Sequence, residues 1–222
     1  MTQLPVHVGA SSAHVAAKLE RHIGWYSAKN LRALGNLRIA GRKKLALFCS
    51  KKCPGTLIIR THDLAHTLRD AEITVIGGFH SPVEKECLGV LLKGRQALIV
   101  CPARGLEGMR VPRAWRAPIQ QGRLLLLSPF DKKHSRATAA LAQKRNEFVA
   151  ALADAVFVAY AAPGGTMEAF CRTVLGWKRD VLTFACPENT HLLDIGARSV
   201  SPDSVLQALD SLPGWARSPT QA

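Results

Sequence analysis

From about residue 41, the chain alternates short apolar runs with longer amphipathic stretches. A short apolar run between turn residues predicts a buried β-strand, and the amphipathic stretches, which Gly, Pro or Ser residues bound, predict α-helices. Parallel strands need crossover connections, which are usually helices. The alternation therefore predicts an α/β domain with a mostly parallel sheet and helices on both faces.

The pattern gives six candidate strands and five candidate helices. The strands are LALFC (45–49), ITVIG (73–77), ALIVC (97–101), LLLLS (124–128), AVFVAY (155–160) and VLTFA (181–185). The helices cover 56–69, 82–92, 112–121, 136–152 and 164–176. In open sheets of this kind, ligands bind beyond the carboxyl ends of the strands, so the turns that follow the strands are the candidate functional positions.

The remaining residues form two flanking segments. We expect residues 1–40 to be a basic, helical N-terminal extension, with one or two helices within 13–34, and residues 41–200 to be the α/β domain. Residues 201–222 are expected to hold a short helix near 204–212 and a flexible tail. A chain of 222 residues is long enough for one such domain but hardly for two.

Apolar residues make up 47% of the chain and aromatic residues 6%, which is typical of a globular protein. No run approaches the roughly 20 apolar residues that a membrane-spanning helix needs. The first residues also lack the basic segment and the apolar segment of a secretory signal. We therefore expect a cytoplasmic protein without a membrane segment.

Six cysteines occur, at positions 49, 53, 87, 101, 171 and 186, mostly within apolar segments. Cys49 and Cys53 form a CxxxC pair, but no second pair of Cys or His residues has the spacing of a zinc site. We expect free thiols in the core, no metal and no cofactor.

The chain contains 30 Lys and Arg residues against 16 Asp and Glu residues, a formal net charge of +14, which favours an anionic partner. The excess is uneven, because residues 18–52 contain ten basic side chains against Glu20 alone, and further excesses lie in 104–123 and 132–145. Four basic residues just before the first predicted strand form a candidate basic patch: Arg38, Arg42, Lys43 and Lys44. The alternative is an ordinary solvated surface.

The first predicted strand ends in Ser50, Lys51 and Lys52, after which Pro54 and Gly55 turn the chain toward a helix. Such a strand-to-helix turn presents backbone N–H groups to a phosphate. The Ser50 hydroxyl and the two lysine charges would add to this binding. The alternative is an ordinary turn with solvated lysines, and no GxGxxG dinucleotide fingerprint is present.

The second predicted strand runs into Gly77 and Gly78, followed by Ser81, Pro82 and Glu84. Ser81 and Glu84 have the spacing of a capping box, which places a helix start there. Capping does not require the two glycines. They predict that a ligand approaches the backbone closely at this turn.

The fifth predicted strand is followed by a third turn, Gly164, Gly165 and Thr166, which opens a helix. Two glycines and a hydroxyl at a helix start are typical of phosphate sites. The helix before this strand adds three candidates: Lys144, Arg145 and Asn146. We expect the Arg145 guanidinium to lie over the third turn, where its fork of donors matches phosphate oxygens.

These residues resemble one known family, DNA-processing protein A, also called DprA or Smf. Arg145 and Asn146, with the run from Leu152 to Val156, resemble the family's Arg-Asn-Arg-Ile-Ile-x-x-Leu-Ser-Asp-Ala segment. The third turn stands where the family has its Gly-Ser-Gly-(Ser/Thr)-Leu turn. Leu45 to Ser50 is similar to the lead into the family's Gly-Ser-Arg turn, with Lys51 in place of the arginine.

The resemblance runs from roughly Gly35 to Pro187 and implies a Rossmann-like three-layer sandwich. It also implies binding of single-stranded DNA by a basic pocket, dimerisation, and loading of a RecA-type recombinase during natural transformation. The predicted function is therefore binding of single-stranded DNA through its phosphates, without catalysis. Phe79 and Trp115 are the nearest candidates for base stacking.

Two alternatives remain open. The first is a small-nucleotide sensor that uses the same turns. The second is a nucleoside monophosphate hydrolase similar to the LOG-type phosphoribohydrolases, whose Pro-Gly-Gly-x-Gly-Thr-x-x-Glu loop Pro163 to Glu168 resembles in shortened form. Arg145 and Glu168 would then be the catalytic candidates, although Glu168 stands one position earlier than that family's glutamate.

Overall fold

The computed structural model describes residues 6–7, 19–213 and 215. The first part of the predicted N-terminal helices, 13–18, lies outside the described residues, as does the end of the predicted tail beyond residue 215.

Within the described residues, nine strands form one sheet in the order β1-β2-β6-β5-β4-β3-β7-β8-β9. In chain order they are β1 (Val6–His7), β2 (Arg32–Leu34), β3 (Lys44–Phe48), β4 (Thr74–Gly77), β5 (Leu98–Val100), β6 (Leu124–Ser128), β7 (Ala155–Val158), β8 (Val181–Phe184) and β9 (Arg198–Val200). β2 pairs antiparallel with β1 and β6, and every other neighbouring pair is parallel. The six predicted strands correspond to β3 to β8, which form the parallel centre of the sheet.

In the described part of the chain, six helices lie between strands of the parallel sheet and a seventh follows β9. They are α1 (Gly55–Asp70), α2 (Pro82–Leu91), α3 (Arg113–Gln120), α4 (Ala139–Leu152), α5 (Thr166–Gly176), α6 (Thr190–Asp194) and α7 (Val205–Asp210). Ser81 caps α2 by accepting a hydrogen bond from the Glu84 amide at 3.3 Å, and Thr138 caps α4 through the Leu141 amide at 3.2 Å. These caps satisfy N–H groups that have no partner within the helix.

Residues on the two faces of the sheet belong to two separate apolar clusters. Along β3, Leu45 and Leu47 pack with α1 and α2, whereas Ala46 and Phe48 pack with α4 and α5. A strand whose successive side chains are all buried needs a helical layer on each face. The predicted Rossmann-like three-layer sandwich is therefore confirmed.

The N-terminal segment differs from the prediction. Residues 32–34, expected within a helix, form β2, which pairs with β6 through Arg32 and Ser128. Ala33 and Leu34 are buried by this pairing. The domain boundary placed after residue 40 stays a prediction, but the sheet itself includes residues from before it.

β3 lies between β4 and β7. From β3 the chain builds β4, β5 and β6 on one side, and it then crosses to β7 on the other side. Connections that diverge in this way leave a crevice at the carboxyl ends of the strands. No helix within the described residues is long and apolar enough to cross a membrane.

Candidate functional site

A cleft of about 640 Å³ lies at this crevice. Its walls come from the ends of β3, β4 and β7 and from the first turns of α4 and α5. Seven of the predicted site residues line it: Ser50, Lys51, Lys52, Arg145, Asn146, Gly165 and Thr166. The topology therefore brings the first and third predicted turns together with the predicted arginine.

Arg145 is positioned by the spacing of α4. Together with Phe148, Val149 and Leu152 it lies on the buried face of that helix, and 4% of its surface is exposed. Its Nε donates to Oδ1 of Asn146 at 2.8 Å, and its Nη1 donates to the carbonyl oxygen of Cys101 at 3.2 Å. Nη2 makes no hydrogen bond with another described residue, which leaves a donor for a ligand in the cleft.

The charge of Arg145 is held in an environment of low polarity. Burial lowers the pKa of its guanidinium, and the Glu84 carboxylate opposes that shift. An arginine stays protonated under such conditions because its ordinary pKa lies above about 12. A permanent positive charge is thus kept at the cleft wall with two neutral hydrogen-bond acceptors, Asn146 and Cys101.

Gly78 makes room for this guanidinium. A Cβ atom on Gly78 would lie 1.4 Å from Nη1 of Arg145 and 1.9 Å from its Cζ. The sequence predicts a ligand beside the second turn, and the structure places the Arg145 side chain there instead. The guanidinium, expected over the third turn, thus lies against the second turn and Cys101. Gly77 makes room for a different side chain, because a Cβ atom there would lie 3.1 Å from the Phe79 ring.

Glu84 ties the second turn to the end of β3. Its carboxylate accepts hydrogen bonds from the Cys49 amide at 3.0 Å and from the His80 amide at 2.8 Å. Glu84 is 4% exposed, so these bonds compensate for its burial. The carboxylate thus holds Cys49 and His80, which both line the cleft, in place.

Ser50 joins the first turn to the third. Its hydroxyl oxygen accepts a hydrogen bond from the Ala162 amide at 3.1 Å, and its own amide donates to the Tyr160 carbonyl at 2.9 Å. Lys51 and Lys52 follow it and are exposed. The Ser50 hydroxyl therefore stabilises the packing of the first turn against the third, and the two lysines carry the positive charge of the first turn.

The third turn is held by Glu168. The carboxylate accepts from the Gly164 amide at 2.7 Å and from Nη2 of Arg172 at 2.7 Å. The Gly164 hydrogen bond, followed by Arg172, lowers the pKa of Glu168. Gly164 has a φ of +68°, a conformation that favours glycine. Glu168 faces its own loop and does not line the cleft.

Five other predicted residues lie away from the cleft. The Nζ of Lys144 lies 5.3 Å from the centre of the Trp25 ring, on a different face of α4 from Arg145. The candidate basic patch ends at the first residue of β3 and lies near the amino edge of the sheet: Arg38, Arg42, Lys43 and Lys44. Lys44 is 2% exposed and its Nζ lies 3.6 Å from the Asp154 carboxylate, so it does not belong to an exposed patch.

Thr138 and Phe170 are cleft residues that the sequence did not indicate. A Thr before an Ala-rich helical run is a capping signal that could have identified Thr138. Phe170 follows Thr166 by one helical turn, and its ring packs edge-on against Phe48 with centroids 4.9 Å apart. Of the proposed stacking residues, Phe79 is buried in the core, which removes it as a platform for a base.

All six cysteines are free thiols, and four of them are buried. Burial raises the pKa of Cys101, whose carbonyl binds Arg145, to about 12. Among the described residues, no three His, Cys, Asp or Glu side chains are grouped so that they could hold a metal ion.

Comparisons with solved structures give the same fold. DNA processing protein A from Streptococcus pneumoniae has a TM-score of 0.68 and 20% identity, covering 86% of this chain and 69% of that one. The Helicobacter pylori protein, described by its single-stranded DNA-binding mode, has a TM-score of 0.66 and 17% identity, covering 81% and 86%. The molybdenum cofactor carrier protein of Chlamydomonas reinhardtii is less similar, with a TM-score of 0.53 and 12% identity over 76% of this chain and 97% of that one.

No curated protein matches the chain in sequence. The sequence profile of the family described as DNA recombination-mediator protein A, however, matches residues 12–204, which is most of the chain. This match includes every strand from β2 to β9 and the whole cleft. The resemblance found in the motifs is thereby confirmed, and the chain belongs to the DNA recombination-mediator protein A (DprA) family.

Proposed function

We propose that this chain binds single-stranded DNA in the cleft, with Arg145 on a phosphate, and that it acts as a recombination mediator without catalysing a reaction. The observation that carries the proposal is the buried guanidinium with a spare donor at the cleft wall. Burying a charge is costly unless a counter-charge is present. The Glu84 carboxylate offsets part of this cost, but its hydrogen bonds go to the Cys49 and His80 amides and not to Arg145. A phosphate group would add a directly bonded counter-charge that accepts from Nη2.

The surroundings of Arg145 suit a phosphate for a second reason. Ser81, Thr138 and Thr166, which lie at the starts of α2, α4 and α5, all line the cleft. Helix starts carry a partial positive charge, and a single capping hydroxyl, as at Ser81 and Thr138, satisfies only one of the N–H groups there. Three such starts around one space favour an anion there.

The extent of the positive surface favours a polymer over a single nucleotide. Lys51 and Lys52 are exposed at one side of the cleft. The loop that leads to Thr138 adds Lys132, Lys133 and Arg136, which are also exposed. Phe170 is partly exposed in the cleft and offers a face on which a base could stack. The related H. pylori protein is described as binding single-stranded DNA, which supports the same ligand here.

Membership of the family extends the proposal to partners. We infer that two copies of the chain associate and that a RecA-type recombinase is the protein partner that receives the DNA, in the cytoplasm. These three points follow from the family and not from a contact seen in the structure.

The test is fluorescence anisotropy of labelled oligo-dT with the full chain at several salt concentrations, with AMP and ADP-ribose as competitors. We expect binding that weakens steeply with salt and that mononucleotides barely displace. Arg145→Ala should weaken it by about 10-fold or more, because a charge-assisted hydrogen bond contributes about 1.5–3 kcal/mol.

Arg179→Ala is the matched control. Like Arg145, Arg179 donates from its guanidinium to a backbone carbonyl, that of Ala151 at 3.1 Å, but it is only partly buried and lies at the amino edge of the sheet. Its loss should leave DNA affinity nearly unchanged. If wild-type protein does not bind oligo-dT but binds AMP tightly, the proposal is overturned.

A small-nucleotide sensor is the second candidate, and one observation favours it. The volume of the cleft, about 640 Å³, lies in the range of small-molecule sites. The hydrolase alternative is less well supported, because the Glu168 carboxylate already binds Gly164 and Arg172 and does not line the cleft. The same competition experiment distinguishes the sensor from the DNA-binding protein.

A further inference from the structure

A second positive surface lies outside the cleft, on α3 and the segment before it. Arg110, Arg113 and Arg116 are exposed there, and none of them forms an ion pair or hydrogen bond with another described residue. The acidic residue of this region, Glu107, is bound by Nε of Arg32 at 2.8 Å. The positive charge of the three arginines is therefore not compensated locally.

The segment that carries these arginines starts at the cleft. Ala103 lines the cleft, and the Arg104 carbonyl next to it accepts a hydrogen bond from Oγ of Ser128 at 2.7 Å. The Gly105 amide donates to the His134 carbonyl at 2.9 Å, which fixes the segment against the basic loop after β6. The segment therefore connects the cleft wall at Ala103 with α3, and it is bonded to the basic loop on the way.

The arrangement on α3 is electrostatically unfavourable by itself. Arg113 occupies the first turn, where the helix dipole repels a cation, and the first turn contains no acidic residue. Arg116 lies one turn later on the same face, so the two like charges are neighbours. An anion on this face would relieve both repulsions.

We propose that Arg110, Arg113 and Arg116, the α3 arginine surface, bind the phosphates of the DNA strand where it continues beyond the cleft. This inference rests on the proposed function of the cleft and extends it to a second contact region.

The experiment compares two double variants of the full chain, Arg113→Glu with Arg116→Glu and Arg38→Glu with Arg42→Glu. Each pair exchanges two exposed arginines for glutamates and changes the net charge equally, but Arg38 and Arg42 lie near the amino edge. Anisotropy with oligo-dT of about 16 nucleotides, an upper site size for single-strand binding domains, gives the affinity and its salt slope.

We expect the α3 pair to weaken oligo-dT binding by 10-fold or more relative to the control pair. Loss of two phosphate contacts should reduce the salt slope by about 1.4, since each contact to a single strand contributes about 0.7. Competition by AMP at the cleft should stay at the wild-type level. Thermal melting of both variants checks that they are folded, and Arg113→Gln with Arg116→Gln gives the same comparison with a smaller charge change.

Equal affinities and slopes for the two double variants would overturn the α3 inference, while the proposed function would stand if Arg145→Ala still weakened binding. Wild-type protein that fails to bind oligo-dT would overturn both.

Discussion

At the amino edge of the parallel sheet, Lys43 and Lys44 share the Asp154 carboxylate, with Nζ–O distances of 3.3 and 3.6 Å. At the carboxyl edge, Arg145 is almost as deeply buried as Lys44, but its hydrogen bonds go to neutral oxygens. The two edges therefore hold cations of the same charge in different states. One is paired within the protein, and the other keeps a donor free.

The direction of the helices explains why the edges differ. In a strand–helix repeat, helices begin at the carboxyl edge, where their partial charge is positive, and end near the amino edge, where it is negative. Cations at the amino edge are stabilised by helix ends, whereas cations at the carboxyl edge face the positive ends of the helices. A count of lysines and arginines does not distinguish these two situations, but their position in the fold does.

The largest effect is expected at the amino edge. Asp154→Ala leaves Lys44 buried without its carboxylate and also removes the acceptor of the Lys44 amide at 3.0 Å. We expect a loss of about 3 kcal/mol in the free energy of unfolding, because removing one partner of a buried ion pair is strongly destabilising. Urea denaturation measures this loss, and DNA affinity of the folded variant should be unchanged.

Lys43→Ala is the control at the same edge. Lys43 binds the other Asp154 oxygen, but its side chain is 43% exposed. The expected loss is below about 1 kcal/mol, as for other exposed ion pairs. Equal losses in Asp154→Ala and Lys43→Ala would contradict the view that burial of Lys44 makes this pair important.

The next effect is expected at the carboxyl edge. In Gly78→Ala the new Cβ would overlap the guanidinium of Arg145, which must leave its place against Cys101. We expect oligo-dT affinity to fall by about 10-fold or more, comparable to removal of a charged hydrogen bond. Because Gly78→Ala removes no charge, a change in affinity measures the effect of moving the Arg145 guanidinium.

Gly89→Ala is its matched control, since Gly89 is an exposed helical glycine with nothing within 4 Å of its added Cβ. It should keep wild-type DNA affinity and gain about 0.5–1 kcal/mol in stability from the higher helix propensity of alanine. If Gly78→Ala bound oligo-dT as well as Gly89→Ala does, the buried position of Arg145 would not matter for binding.

The centre of the sheet could be predicted from the sequence because each strand is an apolar run, as in β3, where every residue is buried. β2 and β9 could not, because neither contains an apolar run and the place of each depends on distant pairing. Arg32 pairs with Ser128, and β9 pairs with β8. Short strands without an apolar run carry too little pattern to be distinguished from loops or helix ends.

The site was predictable to a similar extent. Arg145 and the third turn could be identified from motifs and from the helical spacing that places Arg145 on the buried face of α4. The contact between Arg145 and Gly78 could not, because it joins two distant segments. For the same reason, Lys44 looked like a patch residue until the fold brought Asp154, 110 residues later, to its side.

The smallest expected effect is a pH-dependent change in stability at the third turn, at the carboxyl edge of the sheet. The Gly164 amide and Arg172 lower the pKa of Glu168 in the folded protein. A carboxyl whose folded pKa is depressed stabilises the fold above its unfolded pKa of about 4.3, and that stabilisation is lost as pH falls through the folded pKa. Glu168→Gln lacks this contribution at every pH.

Thermal melting of wild type and Glu168→Gln should therefore differ most near neutral pH and converge as the solution is acidified. Glu86→Gln, which changes an exposed glutamate on α2, controls for the loss of one negative charge. A difference between wild type and Glu168→Gln that stays constant from neutral to acidic pH would show that side-chain shape, and not the carboxylate charge, holds the Gly164 loop.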